Sequence, residues 1–282
     1  MKVIGGIVMR IARTEQRNPM SMHMDQMATE EMARLVVTAN YAAVQAVETA
    51  VLDIAKAVDA IHAAFEGGHR LIYIGAGSSG RLGVLDAAEC PPTFGTDAAM
   101  VCGIIAGGDD KMFHASENAE DIYENGVKDI LAKGISAGDV VVGISAAGNA
   151  AYVVGALEKA KTLGCVTVGV CCNPDTAVLR VADIGILTDT GPEVLTGSTR
   201  LKAATAQKIV LNTLTTCAMT KTGRVYENMM INLRPTNTKL RARVIRITSE
   251  IIGCDAQTAK RYLEENDWNI REASEAAKKG RA

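Results

Sequence analysis

The stretch that decides the fold is Leu71-Ile72-Tyr73-Ile74-Gly75-Ala76-Gly77-Ser78-Ser79-Gly80-Arg81. Its first four residues are apolar, which predicts a short buried strand, and the glycines after them predict a tight turn. A helix is expected to open at the serines. Free backbone N–H groups at the start of a helix, together with two hydroxyl groups, form a suitable binding site for a phosphate. Gly77, Ser78 and Ser79 are therefore predicted to bind a phosphate group, and a plain strand-to-helix turn is the alternative.

A nucleotide-binding fold is the second reading of this stretch. Gly75, Gly77 and Gly80 match the GxGxxG spacing of dinucleotide-binding proteins. Those proteins carry an acidic residue at the end of the second strand, where it binds the ribose. The segment after Ile105 is instead Ala106-Gly107-Gly108. The missing acid and the paired serines favour a phosphate monoester over a dinucleotide.

The same strand pattern recurs along the chain. Further strands are predicted at about 100–105, 140–144, 166–170 and 184–187. Helical spacing is found at 27–66, 111–133, 150–163, 198–222 and 239–252. Strands that alternate with helices predict a doubly wound α/β fold, in which a parallel sheet carries helices on both faces.

Three parts of the chain are expected to differ in organisation. Residues 1–66 are predicted to form a helical segment that packs on the core, 67–236 the core domain, and 237–282 a helical tail. The stretch 254–282 reads as two short polar helices. It is too small to hold a core alone, so it is expected to dock on the main body or on a partner chain.

Composition excludes several classes of protein. Thirty basic and 32 acidic side chains give a net charge of −2, so nothing indicates a nucleic-acid partner. Seven cysteines without paired spacing predict free thiols in a reducing cytoplasm. No stretch approaches the roughly 20 apolar residues of a membrane span. Glycines and Arg10 interrupt the N-terminal apolar run, which argues against a signal peptide. No spacing of His, Cys and carboxylate residues predicts a metal site.

Two more loops carry hydroxyl groups where a ligand could bind. Ser145 follows the predicted strand at 140–144, and in such sheets ligand loops gather at the carboxyl ends of the strands. Ser198 or Thr199 is predicted to cap the long helix, whose start also carries Arg200 and Lys202. This start is a candidate anion site. An ordinary turn and a solvated, capped helix remain the respective alternatives.

Two glutamates are candidate acid–base residues. Pro91 is expected to end the preceding helix close to Glu89. The negative end of a helix dipole disfavours an ionised carboxylate and so favours the protonated carboxyl group, which is the form that a general acid requires. Glu120 lies in the acidic cluster 116–121, which is typical of a solvated helix surface. Taken alone, each residue is better interpreted as an exposed glutamate.

Together the motifs resemble one family, the N-acetylmuramic acid 6-phosphate etherases. The similar segments are Thr14-Glu15-Gln16-Arg17-Asn18-Pro19, 74–95, Ala119-Glu120-Asp121, 191–202 and Asn237-Thr238-Lys239-Leu240. The resemblance implies a sugar isomerase (SIS) fold with a five-stranded parallel sheet. It also implies a homodimer and a C-terminal segment similar to a ubiquitin-associated domain.

The resemblance further implies a lyase that cleaves the D-lactyl ether of N-acetylmuramic acid 6-phosphate. The products are N-acetylglucosamine 6-phosphate and D-lactate, in the recycling of cell-wall amino sugars, with no cofactor. By the same resemblance Glu89 is the proton donor and Glu120 the base. Ser78, Ser79, Ser145 and Lys239 are implied contacts to the sugar phosphate.

One loop departs from the family pattern. Family members usually carry Ala-Ser-Gly-Arg-Thr-Pro where this chain has Ala146-Ala147-Gly148-Asn149-Ala150-Ala151, so the substrate could differ. A sugar-phosphate sensor similar to the glucokinase regulatory protein and a sugar-phosphate isomerase are the alternative functions. The glutamate pair favours an enzyme over a sensor. A DNA-binding regulator is disfavoured because residues 1–70 show no basic helix-turn-helix pattern.

Overall fold

The computed structural model describes residues 2–4, 7–9, 11–114, 118–233, 235 and 237–279. The chain separates into two compact units. The first contains Met1–Ala88 and Ala99–Thr215, and the second contains Glu89–Ala98 and Thr216–Ala282.

A five-stranded parallel sheet forms the centre of the first unit. Two short strands near the N-terminus, β1 (Lys2–Ile4) and β2 (Ile7–Met9), pair with each other in an antiparallel hairpin. The sheet itself consists of β3 (Leu71–Gly75), β4 (Val101–Ile105), β5 (Val140–Ile144), β6 (Val166–Cys171) and β7 (Ile184–Leu187). Its spatial order is β4-β3-β5-β6-β7, and all neighbours are parallel. The predicted doubly wound α/β fold is confirmed.

Helices flank this sheet. They are α1 (Thr29–Ala39), α2 (Tyr41–Thr49), α3 (Val51–Glu66), α4 (Gly77–Phe94), α5 (Tyr123–Ala132), α6 (Ala151–Thr162), α7 (Ala177–Val181) and α8 (Lys202–Lys221). All five residues of β3 and of β5 are buried, as strands covered on both faces must be. The apolar run that predicted a strand at 71–74 therefore forms part of the core.

Two predicted helices are shorter than expected. The stretch 27–66 is broken at Asn40 and Ala50, where backbone N–H groups bond three residues back, to Val37 and Val47, and tighten the turn. The stretch 111–133 contains only α5 as a regular helix. Asn118, in the left-handed conformation with φ 67°, lies before it.

The predicted end of α4 is wrong. The helix continues beyond Glu89 to Phe94 and contains both Pro91 and Pro92. Proline has a φ close to the helical value, so a helix can contain it where the lost N–H bond is tolerated. Glu89 is exposed and is followed by five more helical residues, so its carboxylate does not lie at the negative end of the helix as predicted.

A buried carboxylate joins the sheet to the neighbouring helices. Asp86 on α4 accepts hydrogen bonds from Tyr73 Oη at 2.9 Å, from Asn212 Nδ2 at 2.5 Å and from Thr215 Oγ1 at 3.3 Å. Tyr73 is fully buried in β3, and Asn212 and Thr215 lie on α8. This network holds α4 and α8 in fixed positions beside β3.

A second buried carboxylate carries a testable pH dependence. Asp139 accepts hydrogen bonds from Arg70 Nη2 at 2.6 Å and from the backbone N–H groups of Arg70 and Ser136. Burial raises the pKa of Asp139, whereas the Arg70 side chain and these N–H groups lower it. Their combined effect is larger than that of burial, so the pKa of Asp139 lies below its ordinary value. A carboxylate with a lowered folded pKa stabilises the fold above its unfolded pKa, and this stability is lost as pH falls through the folded pKa.

Asp139→Asn is therefore expected to lower the free energy of unfolding by about 2–3 kcal/mol at pH 7. The difference from wild type should shrink as the pH falls below about 4, because the carboxylate of the unfolded chain then protonates while the folded one still resists it. Urea unfolding at pH 7, 5 and 3 measures this. The exposed pair of Asp53 with Lys56 provides the control, because Asp53→Asn should change stability little. A pH-independent difference for Asp139→Asn would contradict the prediction.

The second unit contains its own apolar cluster. Its elements are β8 (Val225–Tyr226), β9 (Met229–Met230), α9 (Thr238–Ile252), α10 (Ala256–Glu264) and α11 (Ile270–Lys279). Leu233, Val244, Leu263 and Ile270 are among the buried members of this cluster. Leu233 and Val244 precede the stretch 254–282, so the two terminal helices share a core with residues outside that stretch, as their small size requires.

Within the described residues, no single helix passes a test of length and composition for crossing a membrane. Two consecutive helical segments, Thr29–Thr49 and Val51–Glu66, are long and apolar enough only when they are taken together, and the chain bends by 62° between them.

Candidate functional site

The serine loops meet where the strand order of the sheet reverses. The chain moves from β3 to β4 on one side, and then returns to β5 on the other side of β3. At this point the loops after β3 and β5 diverge and leave a crevice, which is the usual ligand site of open α/β sheets. Gly75 and Ile144 are register partners at the ends of the two strands. Ser78, Ser79 and Ser145 therefore come to the same edge of the sheet.

These loops enclose a cavity of about 240 Å³, hereafter the serine cavity. Its lining comprises Glu15, Ala76, Gly77, Ser78, Ser79, Glu120, Ile144, Ser145, Ala146, Ala147, Ala150, Gly197 and Thr199. Five of the predicted site residues are in this set, namely Gly77, Ser78, Ser79, Ser145 and Glu120. The N-terminal turn of α4 forms one wall, so backbone N–H groups and the positive end of a helix dipole border the space.

The hydroxyl groups of the cavity are held by the surrounding chain. Ser79 is buried and donates to Gln207 Oε1 at 2.9 Å. Ser145 Oγ accepts from the Gly148 backbone N–H at 3.1 Å, which closes the loop after β5. Gly148 has φ +79°, and a Cβ there would lie 2.6 Å from Thr176 side-chain atoms. Both serines are thus oriented before any ligand binds.

Close backbone packing shapes the turn between β3 and α4. A Cβ built on Gly80 would lie 2.5 Å from the Gly75 carbonyl oxygen and 2.8 Å from Ile105 Cγ1. A Cβ on Gly75 would meet the Gly80 nitrogen at 2.9 Å. Only glycine at both positions allows α4 to start this close to its strand, which brings the helix N-terminus to the cavity.

The cavity also contains a carboxylate that the sequence reasoning missed. Glu15 is exposed and lines the serine cavity together with Glu120. Its neighbour Thr14 is fully buried and exchanges two hydrogen bonds with the Asn173 side chain, at 3.3 and 3.0 Å. Glu15 lies in one of the segments that resemble the etherases. Its position in a loop far from the sheet strands in sequence gave no local sign of a site role.

The third loop differs from its prediction. Gly197 and Thr199 line the serine cavity, whereas Ser198, which lies between them in the sequence, is not part of the lining. The helix α8 begins at Lys202 rather than at the serine, so the predicted hydroxyl cap is wrong. The buried Glu193 carboxylate accepts from the backbone N–H groups of Lys202 at 3.1 Å and Ala203 at 2.9 Å. The Glu193 carboxylate therefore occupies the anion-binding site that the sequence predicts for a ligand at the start of this helix.

Lys202 is part of that buried arrangement. Its ammonium group donates to the Thr190 carbonyl oxygen at 2.8 Å. Burial lowers the pKa of Lys202, while the carboxylates of Glu193 and Asp189 oppose the shift. The side chain is 5% exposed, so it acts inside the fold rather than on its surface.

Two predicted site residues belong to the second unit. Glu89 on α4 and Lys239 in the first turn of α9 are both exposed. The helix α9 is capped by Asn237, whose side chain accepts from the Leu240 N–H at 2.9 Å. The roles of these two residues stay predictions.

A smaller cavity of about 130 Å³ adjoins the serine cavity, and it is called here the basic cavity. It is lined by Ala76, Gly77, Arg81, Ala106, Lys111, Ala119 and Glu120. Arg81 donates to the carbonyl oxygens of Met112 at 3.0 Å and His114 at 3.1 Å. Glu120 lines both cavities and so lies between a hydroxyl-rich space and a cationic one.

The loop that departs from the family pattern borders a third cavity, of about 510 Å³. Asn149 lines it together with Arg13 and Asn173. Asn149 Oδ1 accepts from the Ala177 backbone N–H at 3.0 Å, and Arg13 pairs with Asp189. Ala147 and Ala150, from the same loop, line the serine cavity instead. The altered loop therefore borders two cavities.

The thiols and metal-binding groups give no further candidate. Burial raises the pKa of Cys165 to about 11 and that of Cys172 to about 12, which makes both thiols poor nucleophiles. Among the residues that the structure describes, no group of three or more His, Cys, Asp or Glu side chains is arranged to hold a metal ion.

Comparison with known families identifies three matching regions. Residues 53–161 match the glucokinase regulatory protein N-terminal SIS domain, and residues 109–217 match the SIS domain. Residues 249–276 match a UBA-like domain. The first two regions cover the central sheet, so the observed topology is that of an SIS fold.

Individual proteins give a more specific likeness. The N-acetylmuramic acid 6-phosphate etherase of Actinobacillus pleuropneumoniae serotype 5b is 48% identical over 92% of this chain and 85% of its own length. The enzyme of the same name from Escherichia fergusonii is 48% identical over 92% of this chain and 87% of its own. The solved structure of a putative phosphosugar isomerase from Bacteroides fragilis has a TM-score of 0.54 at 18% identity. It covers 71% of this chain and 95% of its own, and supports the fold alone.

Proposed function

The chain belongs to the N-acetylmuramic acid 6-phosphate etherase family, and from this premise we propose that its serine cavity is where the D-lactyl ether is cleaved. The protein is an etherase, a carbon–oxygen lyase, and its substrate is a phosphorylated amino sugar. The products are N-acetylglucosamine 6-phosphate and D-lactate. One observation carries the proposal: four phosphate-binding candidates and two carboxylates converge on a single cavity at the reversal of strand order.

The sugar phosphate is proposed to bind at the start of α4. Ser78 and Ser145 supply hydroxyl donors, and Gly77 allows the backbone to approach closely. The Ser79 hydroxyl donates to Gln207, so Ser79 is proposed to contact the phosphate through its backbone N–H in the first turn of the helix. An anion beside a helix N-terminus is stabilised by the helix dipole and by N–H groups that have no partner within the helix. Ser198 and Lys239 are additional proposed contacts, on the strength of the family motifs alone.

The chemistry requires a base beside the sugar and an acid beside the leaving group. Opening of the sugar ring exposes an aldehyde at C1, which makes the hydrogen on C2 acidic. Glu120 is proposed to remove that proton. The C3–O bond then breaks, and the ether oxygen leaves with lactate as it is protonated. Water adds to C3 of the unsaturated aldehyde and restores the hydroxyl, so no net oxidation or reduction occurs.

Glu89 is proposed as the acid that protonates the departing oxygen. This assignment rests on the family motif, since Glu89 does not lie at the end of α4. Glu89 and Glu120 would then divide the acid and base roles, as paired carboxylates in different environments can.

Assembly and location are also proposals. Large apolar side chains are exposed on α1 to α3, among them Val37, Tyr41 and Leu52, and they support a homodimer. The free cysteines support a reducing cytoplasm, where the enzyme would act in cell-wall amino sugar recycling. The division into a helical segment 1–66, a core domain 67–236 and a tail 237–282 is our proposal for the domain organisation.

Isotope labelling of the products tests the proposed function. The protein is incubated with N-acetylmuramic acid 6-phosphate in H₂¹⁸O, and separately in D₂O. We expect D-lactate without the label, ¹⁸O at C3 of N-acetylglucosamine 6-phosphate, and deuterium at C2. Label in lactate would contradict cleavage of the C3–O bond. Deuterium exchange without lactate release would instead indicate an isomerase, and binding without either reaction would indicate a sensor.

A further inference from the structure

We propose that the basic cavity binds the carboxylate of the lactyl group and so determines specificity for the ether-bearing sugar. Lys111 and Arg81 are the cationic side chains of this subsite. The inference rests on the proposed function, because it takes the substrate to carry a lactyl carboxylate as well as a phosphate. It extends that function by assigning a place to the second anion.

The two cavities are arranged as the two anions of such a substrate require. Ala76, Gly77 and Glu120 line both cavities, so the cavities share a wall. The phosphate at C6 would enter the serine cavity, and the lactyl group at C3 would enter the basic cavity. The hydrogen on C2, next to C3, would then lie near the shared wall, where Glu120 is placed to remove it.

The size of the basic cavity suits a small group. Its volume of about 130 Å³ corresponds to roughly four water molecules. Ala106 and Ala119 supply apolar lining, which a methyl group can contact. A lactyl group presents one methyl and one carboxylate, so this mixed lining matches both of its ends.

The charges of the cavity favour an anion over a neutral group. The Arg81 guanidinium is oriented by the carbonyl oxygens of Met112 and His114. Lys111 Nζ pairs with Asp110 at 3.0 Å, and the Asp110 side chain is 66% exposed. The Lys111 side chain is partly buried, at 29% exposed, but its partner carboxylate is open to solvent, so the pair contributes little and the ammonium can exchange this partner for a ligand carboxylate. Without cations here, a carboxylate beside Glu120 would be repelled.

A pair of unreactive ligands tests the subsite directly. N-acetylmuramitol 6-phosphate and N-acetylglucosaminitol 6-phosphate have C1 reduced to an alcohol, so neither can undergo the elimination. They differ only in the lactyl group. Calorimetry measures the binding of both to wild type, Lys111→Met and Lys128→Met. Lys128 is exposed on α5 and lies outside the lining of both cavities, so it provides the matched control.

We expect wild type to bind the muramitol ligand more tightly, and Lys111→Met to weaken that ligand about tenfold, the usual effect of losing one charge-assisted hydrogen bond. The glucosaminitol ligand should keep its affinity within about twofold, because it makes no carboxylate contact. Lys128→Met should change neither. An equal loss for both ligands, or no loss for either, would overturn the subsite. Parallel lactate assays separate the two proposals, since a preference for muramitol without lactate release would contradict only the etherase mechanism.

Discussion

Replacing Glu120 by glutamine is expected to lower kcat for D-lactate release by roughly a hundredfold to ten-thousandfold, the usual contribution of a general base. Glutamine keeps the shape of the side chain but cannot accept the C2 proton. The proposed phosphate contacts of the serine cavity are not altered, so KM should change little. Glu120 is exposed, and its backbone carbonyl oxygen still accepts from the Tyr152 N–H, so the variant should fold normally.

Glu124→Gln is the matched control for this experiment. Glu124 lies four residues further on, is exposed in the first turn of α5, and is absent from the lining of both cavities. Its replacement should leave kcat within about twofold. Glu120→Gln activity close to wild type, with Glu124→Gln unchanged, would exclude Glu120 as the base.

Deuterium exchange at C2 separates the roles of the two proposed catalytic glutamates. Removal of the base should abolish both exchange and lactate release. Glu89→Gln should slow lactate release while exchange at C2 of the substrate continues, because proton removal does not need the acid. Loss of exchange in Glu89→Gln would mean that Glu89 is not the leaving-group acid.

Gly80→Ala is expected to lower the free energy of unfolding by about 3 kcal/mol, at the upper end of the range for overpacking in a core. The added Cβ would lie 2.5 Å from the Gly75 carbonyl oxygen, and neither backbone can move without displacing α4 from β3. The same displacement moves the helix N-terminus away from the phosphate. Affinity for N-acetylglucosamine 6-phosphate should therefore fall by more than about tenfold, as one lost charge-assisted hydrogen bond would cause.

Gly134→Ala separates this clash from the general cost of replacing a glycine. Gly134 follows α5 with φ +62°, and a Cβ there meets no atom within 4 Å. Its replacement should cost about 1 kcal/mol for the left-handed conformation and leave ligand affinity unchanged. Urea unfolding gives the stabilities and calorimetry the affinities. Equal losses of stability in the two variants would show that close packing at Gly80 is unimportant.

The strands could be predicted from the sequence because their signal is local. The apolar residues of β3 and β5 are buried on both faces, and such strands appear as uninterrupted apolar runs between turn residues. The end of α4 could not be predicted in the same way. Pro91 disfavours a helix locally, but the helix continues past it to Phe94.

The candidate site was predictable only in part, for a related reason. Ser78, Ser79 and Ser145 follow strands directly, and the carboxyl ends of parallel strands must share one edge of the sheet. Glu15 follows no strand of the sheet. It reaches the cavity because buried Thr14 is bound to Asn173, a contact between residues 159 positions apart. The sequence predicts a ligand at the start of α8 because no pattern in the neighbouring residues indicates that the Glu193 carboxylate binds the N–H groups of Lys202 and Ala203.

The sequence by itself determined the α/β class, the five strands and the serine loops, because apolar periodicity and glycine turns act over a few residues. Its motifs also identified the family. Tertiary structure decided which side chains share a cavity. It placed Glu120 between the serine and basic cavities, brought Glu15 to the serine cavity, and filled the start of α8 with Glu193. These placements depend on contacts between distant residues, whose closure entropy is offset only when the whole core packs.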